Sequence, residues 1–186
     1  MIIRTATPKD APGLREIFLH YIEKPVTFLY EMPSEEDIAW TVVDILRRYP
    51  YLVAEEEGKI LGYAYAHPLR EYVAYGWDAE LTIYLHPDAT GRGIGSRLYT
   101  ALMELLRLQG IKNAYGCVTT PNPASESLHR KMGFAYVGGF HQTGYKSGKW
   151  QDVVWFEKNL APCDGPPDPV RPFPQLEEEE VAQALK

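Results

Sequence analysis

The stretch Gly91-Arg92-Gly93-Ile94-Gly95-Ser96 has the composition of a loop that holds an anion. Glycines let a backbone curl tightly and aim successive N–H groups at one point. Just upstream, Leu81, Ile83 and Leu85 alternate with Thr82 and Tyr84, the period of a strand, and Pro87 closes it. Downstream, an amphipathic pattern over Ser96–Gln109 predicts a helix, which adds free N-terminal donors and the positive end of its dipole. Strand, glycine loop and helix together form a diphosphate cradle, so a nucleotide-like cofactor is expected. Two common cradles are excluded by spacing. A dinucleotide fingerprint needs G-x-G-x-x-G, and Ser96 stands at the third glycine; a P-loop needs Gly-Lys-Ser/Thr, which is absent.

A second segment runs from Pro121-Asn122-Pro123-Ala124-Ser125 through Leu128-His129 to Gly133-Phe134. Asn122 suits a helix N-cap, and Gly133 suits the residue just past a helix end. Taken together, the two segments resemble the GCN5-related N-acetyltransferases. That family writes its pyrophosphate loop Gln/Arg-x-x-Gly-x-Gly/Ala, and a later helix Asn-x-x-(Ala/Ser)-x-x-Leu-(Tyr/His)-x-x-x-Gly-Phe. The match puts Thr90 at the Gln/Arg position and Gly93 and Gly95 at the glycines. Thr90 keeps a hydroxyl donor but loses the long arm. The resemblance implies acetyl-CoA as cosubstrate and no metal. It implies cofactor contacts from Ile83, Tyr84, Leu85, Thr90, Gly91, Arg92, Gly93, Ile94, Gly95, Ser96, Asn122 and Ser125.

Further segments narrow the branch. His20-Tyr21-Ile22-Glu23, Val26-Thr27-Phe28, Gly62-Tyr63-Ala64-Tyr65-Ala66, Glu80-Leu81-Thr82-Ile83-Tyr84-Leu85 and Gly144-Tyr145-Lys146-Ser147-Gly148 are similar to the phosphinothricin N-acetyltransferases. Acetyltransferases of methionine sulfone and methionine sulfoximine belong to the same group. The similarity covers nearly all of residues 2–160, and Pro166–Pro172 is similar as well. It implies acetylation of a small amino-acid analogue by direct attack, within a homodimer.

Such a reaction needs a base for the substrate ammonium. Glu80 stands at the start of the central strand in the family's Glu-x-Thr-(Val/Ile)-Tyr-(Val/Leu) context and is the candidate. His129 occupies the position where many relatives place a tyrosine as general acid; a histidine there can orient Glu80 or relay a proton. A backbone N–H near Leu85 is the expected oxyanion donor, where the family splays its central strands. Arg70 is the natural fork for a carboxylate or tetrahedral oxyanion, with Phe28, Tyr75 and Lys146 completing the pocket. Tyr72 stands where the herbicide-resistance enzymes carry arginine. Two alternatives stay open: another small amine or a protein amine as acceptor, and a non-catalytic acyl-CoA sensor that would not need Glu80.

The elements that must position these groups follow from periodicity. Strands are expected at Ile2–Arg4, Tyr51–Glu55, Lys59–Ala66, Glu80–Leu85, Ile111–Thr119, Ala135–His141 and Trp150–Lys158. Helices are expected from Thr7-Pro8 to Ile22, from Ser34 to about Tyr49, over Ser96–Gln109 and over Ala124–Met132. The fold class is a mixed α/β (α+β) sandwich of the GNAT type: a mostly antiparallel sheet of about seven strands with helices on both faces. One domain spans residues 1–160; residues 161–186 form a proline-rich, then acidic tail expected to be extended or disordered, with a short stretch of helical bias over Glu177–Leu185.

The chain has 186 residues, 45% of them apolar, enough for one domain with a normal core. Its net charge is −6, but six acids and two bases follow Leu160, leaving 19 acids and 17 bases before it. Nothing argues for nucleic acid. No apolar run reaches transmembrane length and no signal-peptide pattern opens the chain. Cys117 and Cys163 show no metal or redox spacing, so a reducing cytoplasm is expected, with Cys117 as a buried apolar filler.

Overall fold

The computed structural model describes residues 1–186. Seven strands form one sheet: β1 (Ile2–Thr5), β2 (Tyr51–Glu56), β3 (Lys59–Pro68), β4 (Asp78–Leu85), β5 (Asn113–Thr120), β6 (Ala135–Lys146) and β7 (Lys149–Asn159). Their spatial order is β1-β2-β3-β4-β5-β7-β6. Every neighbouring pair is antiparallel except β4 and β5, which run parallel. A parallel pair needs a crossover, and α3 (Ile94–Gln109) supplies it.

Helices cover both faces, because the inner strands are apolar on both. In β2, Leu52 and Ala54 pack with the α3 side, while Tyr51 and Val53 pack with α1 (Ala11–Ile22) and α2 (Glu35–Leu46). Ile94, Leu98, Leu102, Leu105 and Leu106 recur at helical spacing and are almost fully buried. A shorter helix, α4 (Pro123–Lys131), follows β5 and begins at the Asn122 cap. No helix is long and apolar enough to cross a membrane.

Three local expectations change. Helix α3 begins at Ile94, two residues before Ser96, because Gly93 in the left-handed region serves as its cap. Cys117 is exposed rather than buried. It lies on β5 beyond the point where β4 leaves it, so β7 flanks it on one side and the other side is open. The tail also departs from the extended or disordered expectation. Its helix, α5 (Glu178–Ala184), falls where the helical bias lies, but Phe173 and Leu176 are buried in the core cluster of α3. Gln109 Nε2 donates to Arg48 O and Arg171 O, both at 2.7 Å, and Arg171 donates to Leu108 O at 2.8 Å. These bonds strap the tail across the end of α3.

Candidate active site

The site is made by two strands that part. β4 and β5 pair only over Asp78–Glu80 and Asn113–Tyr115; beyond Glu80 and Tyr115 each continues alone. The orientation of the freed backbone follows from the β3 side. His86 N–H bonds Leu61 O in continuation of the β3–β4 register, so Tyr84, Thr82 and Glu80 also turn their amides toward β3. Antiparallel alternation then turns the amides of Ile83 and Leu85, beyond the last bridge at Glu80–Tyr115, toward the gap that β5 has left. Tyr21 Oη donates to Leu85 O at 2.6 Å, which leaves the N–H groups on that edge for a ligand.

The glycine loop closes one end of the opening. Gly91 and Gly93 have φ of 75° and 78°, a region that disfavours side chains, and a β-carbon on either would meet nothing within 4 Å. Helix α3 has no side-chain cap, and its first backbone bond is Arg97 N to Gly93 O. The N–H groups from Gly91 to Ser96 therefore have no acceptor in the protein. Six consecutive free donors at a helix N-terminus fit a pyrophosphate well. Gly95 has a different role: a β-carbon there would press on Leu128 and reach contact with Leu85 and Ile83, so it lets α3 approach α4. The side chains of the loop are engaged locally. Thr90 Oγ1 donates to Pro87 O at 2.8 Å, and Arg92 bonds Glu56 of β2 at 2.7 Å. Opposite the loop, Asn122 Oδ1 caps α4 by accepting from Ser125 N–H at 3.2 Å.

The parted strands and α4 enclose a cleft of ≈ 340 Å³ that reaches Thr90, with Gly91–Ser96 just outside its lining. Glu80, Leu81–Leu85, Thr90, Asn122, Ser125, His129 and Phe28 all line it, and Ile83, Tyr84 and Leu85 are among them. Glu80 is half-buried, and burial raises its carboxyl above the usual glutamate value, against the opposing pull of His67 and Arg70. His67 is its direct partner across β3.

His129 lies at the cleft wall, 2% exposed. Its Nδ1 sits 2.8 Å from Ser125 O, which fixes the tautomer with the proton on Nδ1. The ring stacks on Phe156 and meets Phe134 and Tyr99 edge-on. Burial lowers its pKa, so it is neutral at physiological pH. Its Nε2 faces Tyr99 Oη at 3.4 Å, and no bond links it to Glu80. Tyr99 was not legible as a site residue because its place on α3 reads as core. Cys117 also faces the cleft, its thiol pushed up to about 12 by burial and by Glu80.

The expected acceptor residues divide. Phe28 lines the cleft and packs the end of its ring against Gly144. Lys146 lies near it but is 5% exposed and aims away from the cleft: Nζ donates to Thr27 O at 2.7 Å and Leu29 O at 2.5 Å. Lys146 therefore holds the loop that carries Phe28 rather than presenting a free charge. Arg70 and Tyr75 are exposed in the connection before β4, outside the lining of the cleft.

Residues 3–155 match the family described as Acetyltransferase (GNAT) domain. The chain belongs to the GNAT acetyltransferase family. Within that family it is 37% identical over 175 residues to a phosphinothricin N-acetyltransferase of Streptomyces viridochromogenes, covering 94% of this chain and 95% of the relative. It is 32% identical over 168 residues to an L-methionine sulfoximine/L-methionine sulfone acetyltransferase of Pseudomonas paraeruginosa, covering 89% and 98%. Among solved structures, a GNAT phosphinothricin acetyltransferase from Sinorhizobium meliloti in complex with AcCoA superimposes with a TM-score of 0.85. That pair is 33% identical and covers 89% and 92% of the two chains. The GNAT chain described here is thus an N-acetyltransferase of the phosphinothricin acetyltransferase type.

Proposed function

We propose that this enzyme moves an acetyl group from acetyl-CoA to the α-amino group of a small amino-acid analogue of the phosphinothricin, methionine sulfone or methionine sulfoximine kind. The observation that carries the proposal is the parting of β4 and β5 at Glu80, with six free N–H donors on the loop that follows Thr90 at the edge of the cleft. The names of the relatives, and the AcCoA in the Sinorhizobium meliloti structure, support the two substrates.

Acetyl-CoA supplies an electrophilic thioester carbonyl. The N–H groups of Gly91–Ser96 would hold its pyrophosphate, and the free edge of β4 and the Asn122–Ser125 turn would hold its pantetheine arm. Glu80 takes a proton from the acceptor ammonium, which frees a lone pair for attack; burial raises its pKa and makes it a stronger base for that transfer. Backbone N–H groups of Ile83 and Leu85 stabilise the oxyanion that develops; its collapse breaks the C–S bond, and CoA leaves as a thiol carrying the proton that the new amide nitrogen gives up. Holding amine and thioester together supplies much of the rate. Neutral His129 acts as a positioning residue, its Nε2 lone pair directed at Tyr99 Oη. The exposed aromatics Tyr136, Phe140, Tyr145 and Trp150 on the outer hairpin support a homodimer, which sedimentation tests.

The decisive experiment is thiol release from acetyl-CoA with L-phosphinothricin, L-methionine sulfone, L-methionine sulfoximine, ordinary amino acids and a polyamine, wild type beside Glu80→Gln. Turnover of one of the first three, lost in the variant, is the expected result. Acetyl-CoA binding without any turnover would leave a sensor instead.

A further inference from the structure

We propose that the acceptor's side chain enters a second chamber, walled by Tyr51, Tyr63, Tyr65 and Tyr84, which selects an uncharged side chain bearing a neutral hydrogen-bond acceptor. The proposal rests on the acetyl-transfer reading above and narrows its substrate.

The chamber has a volume of ≈ 310 Å³ and lies between α1, α2 and the face of β2–β4 that carries Glu80. Thr82 and Tyr84 line both this chamber and the cleft, so the two spaces meet at those residues. Glu80 precedes Thr82 by two residues on one strand face, a separation of about 7 Å. An amine at Glu80 thus leaves its side chain within reach of the chamber.

The walls are rigid and specific in chemistry. Tyr51 and Tyr65 stack at 4.7 Å, Tyr51 and Tyr63 at 5.9 Å, and Tyr63 meets Tyr84 at 5.5 Å. Tyr51 and Tyr63 are 3% and 5% exposed, and neither hydroxyl has a hydrogen-bond partner in the protein. Neither oxygen is sealed in the core; both residues line the chamber, which leaves their hydroxyls open to a ligand. Burial raises both hydroxyls well above the usual tyrosine value, so each stays protonated and can donate. None of the twelve lining residues is charged. An anionic phosphinate here would lose its water with no countercharge, whereas a sulfone or amide oxygen would meet two waiting donors.

The test is steady-state kinetics of wild type, Tyr63→Phe and Thr41→Trp, reading KM and kcat separately for L-methionine sulfone and L-phosphinothricin. Tyr63→Phe removes one donor; it is expected to raise KM for the sulfone about three- to tenfold with little change in kcat. KM for L-phosphinothricin is expected to move less. Thr41 lines the chamber from α2, and its replacement by Trp fills the space, so sulfone KM should rise further. Thermal melting checks each fold, and Tyr63→Phe, which deletes one oxygen, decides the matter if Thr41→Trp does not fold. Turnover with sulfone KM unchanged in the folded variants overturns this proposal alone. No turnover of either acceptor by the wild type overturns the acetyl-transfer reading, and this one with it.

Discussion

Gly116 of β5 lies directly against His129 of α4: a β-carbon on Gly116 would overlap the imidazole, with Nε2 nearest. The ring cannot retreat, because Phe134, Phe156 and Tyr99 enclose it. Gly116→Ala is therefore expected to cost about 1–3 kcal/mol of stability through overpacking. Denaturant titration measures it. Retained stability would mean that the ring has another place to go.

Glu80→Gln carries two expectations, both from the raised carboxyl pKa. Turnover should fall about 10²–10⁴-fold, and the acid limb of the pH–rate profile, placed above the usual glutamate range, should vanish with it. Stability should move the opposite way. The folded state binds this proton more tightly than the unfolded chain, so stability is lost as pH rises from the unfolded pKa through the folded one. The neutral glutamine escapes that loss. Calorimetry should show a higher Tm than wild type at pH 7 and no such gain at acid pH.

Gly93→Ala tests the cradle. A side chain at φ 78° is strained by about 1–2 kcal/mol, and the cap of α3 must distort to relieve it. Acetyl-CoA should then raise Tm less than it does in wild type, measured by differential scanning fluorimetry. An equal shift in both proteins would remove the loop from the binding site.

Lys146→Met leaves the Thr27 and Leu29 carbonyls without their donor. The expected cost is about 1–3 kcal/mol of stability, since bonds to a charged group are the stronger kind. Acceptor KM should rise while acetyl-CoA affinity, read by calorimetric titration, stays constant. A charge that bound substrate directly would instead show its loss for anionic acceptors alone.

The cradle was legible because it is local: strand, glycines and helix lie within about thirty consecutive residues, a βα unit whose parts signal one another. The parting of β4 from β5 was not, since a hydrogen-bond register between segments some 35 residues apart leaves no mark on either strand's alternation. The same reason hid the role of Lys146, whose partners lie 117 and 119 residues away. Cys117 reads as core from its apolar strand, and only the missing neighbour turns it to the cleft. The tail's prolines suggest disorder, yet Phe173, Leu176 and Arg171 find apolar surface and free carbonyls at the end of α3. Composition weighs the average of a segment, whereas three side chains suffice to anchor it.

The loop over the acceptor space is tied to the β6–β7 turn and makes no hydrogen bond to the glycine cradle: Lys146 holds Thr27 and Leu29, Ser147 reaches Glu23, and Tyr30 reaches Tyr145. The two segments are one functional part written in two distant places. Grafting residues 23–30 from a relative with another acceptor preference would bring the loop without its moorings. Transplanting it together with residues 144–148 would carry the whole device, and the donor half of the enzyme would be indifferent to the exchange.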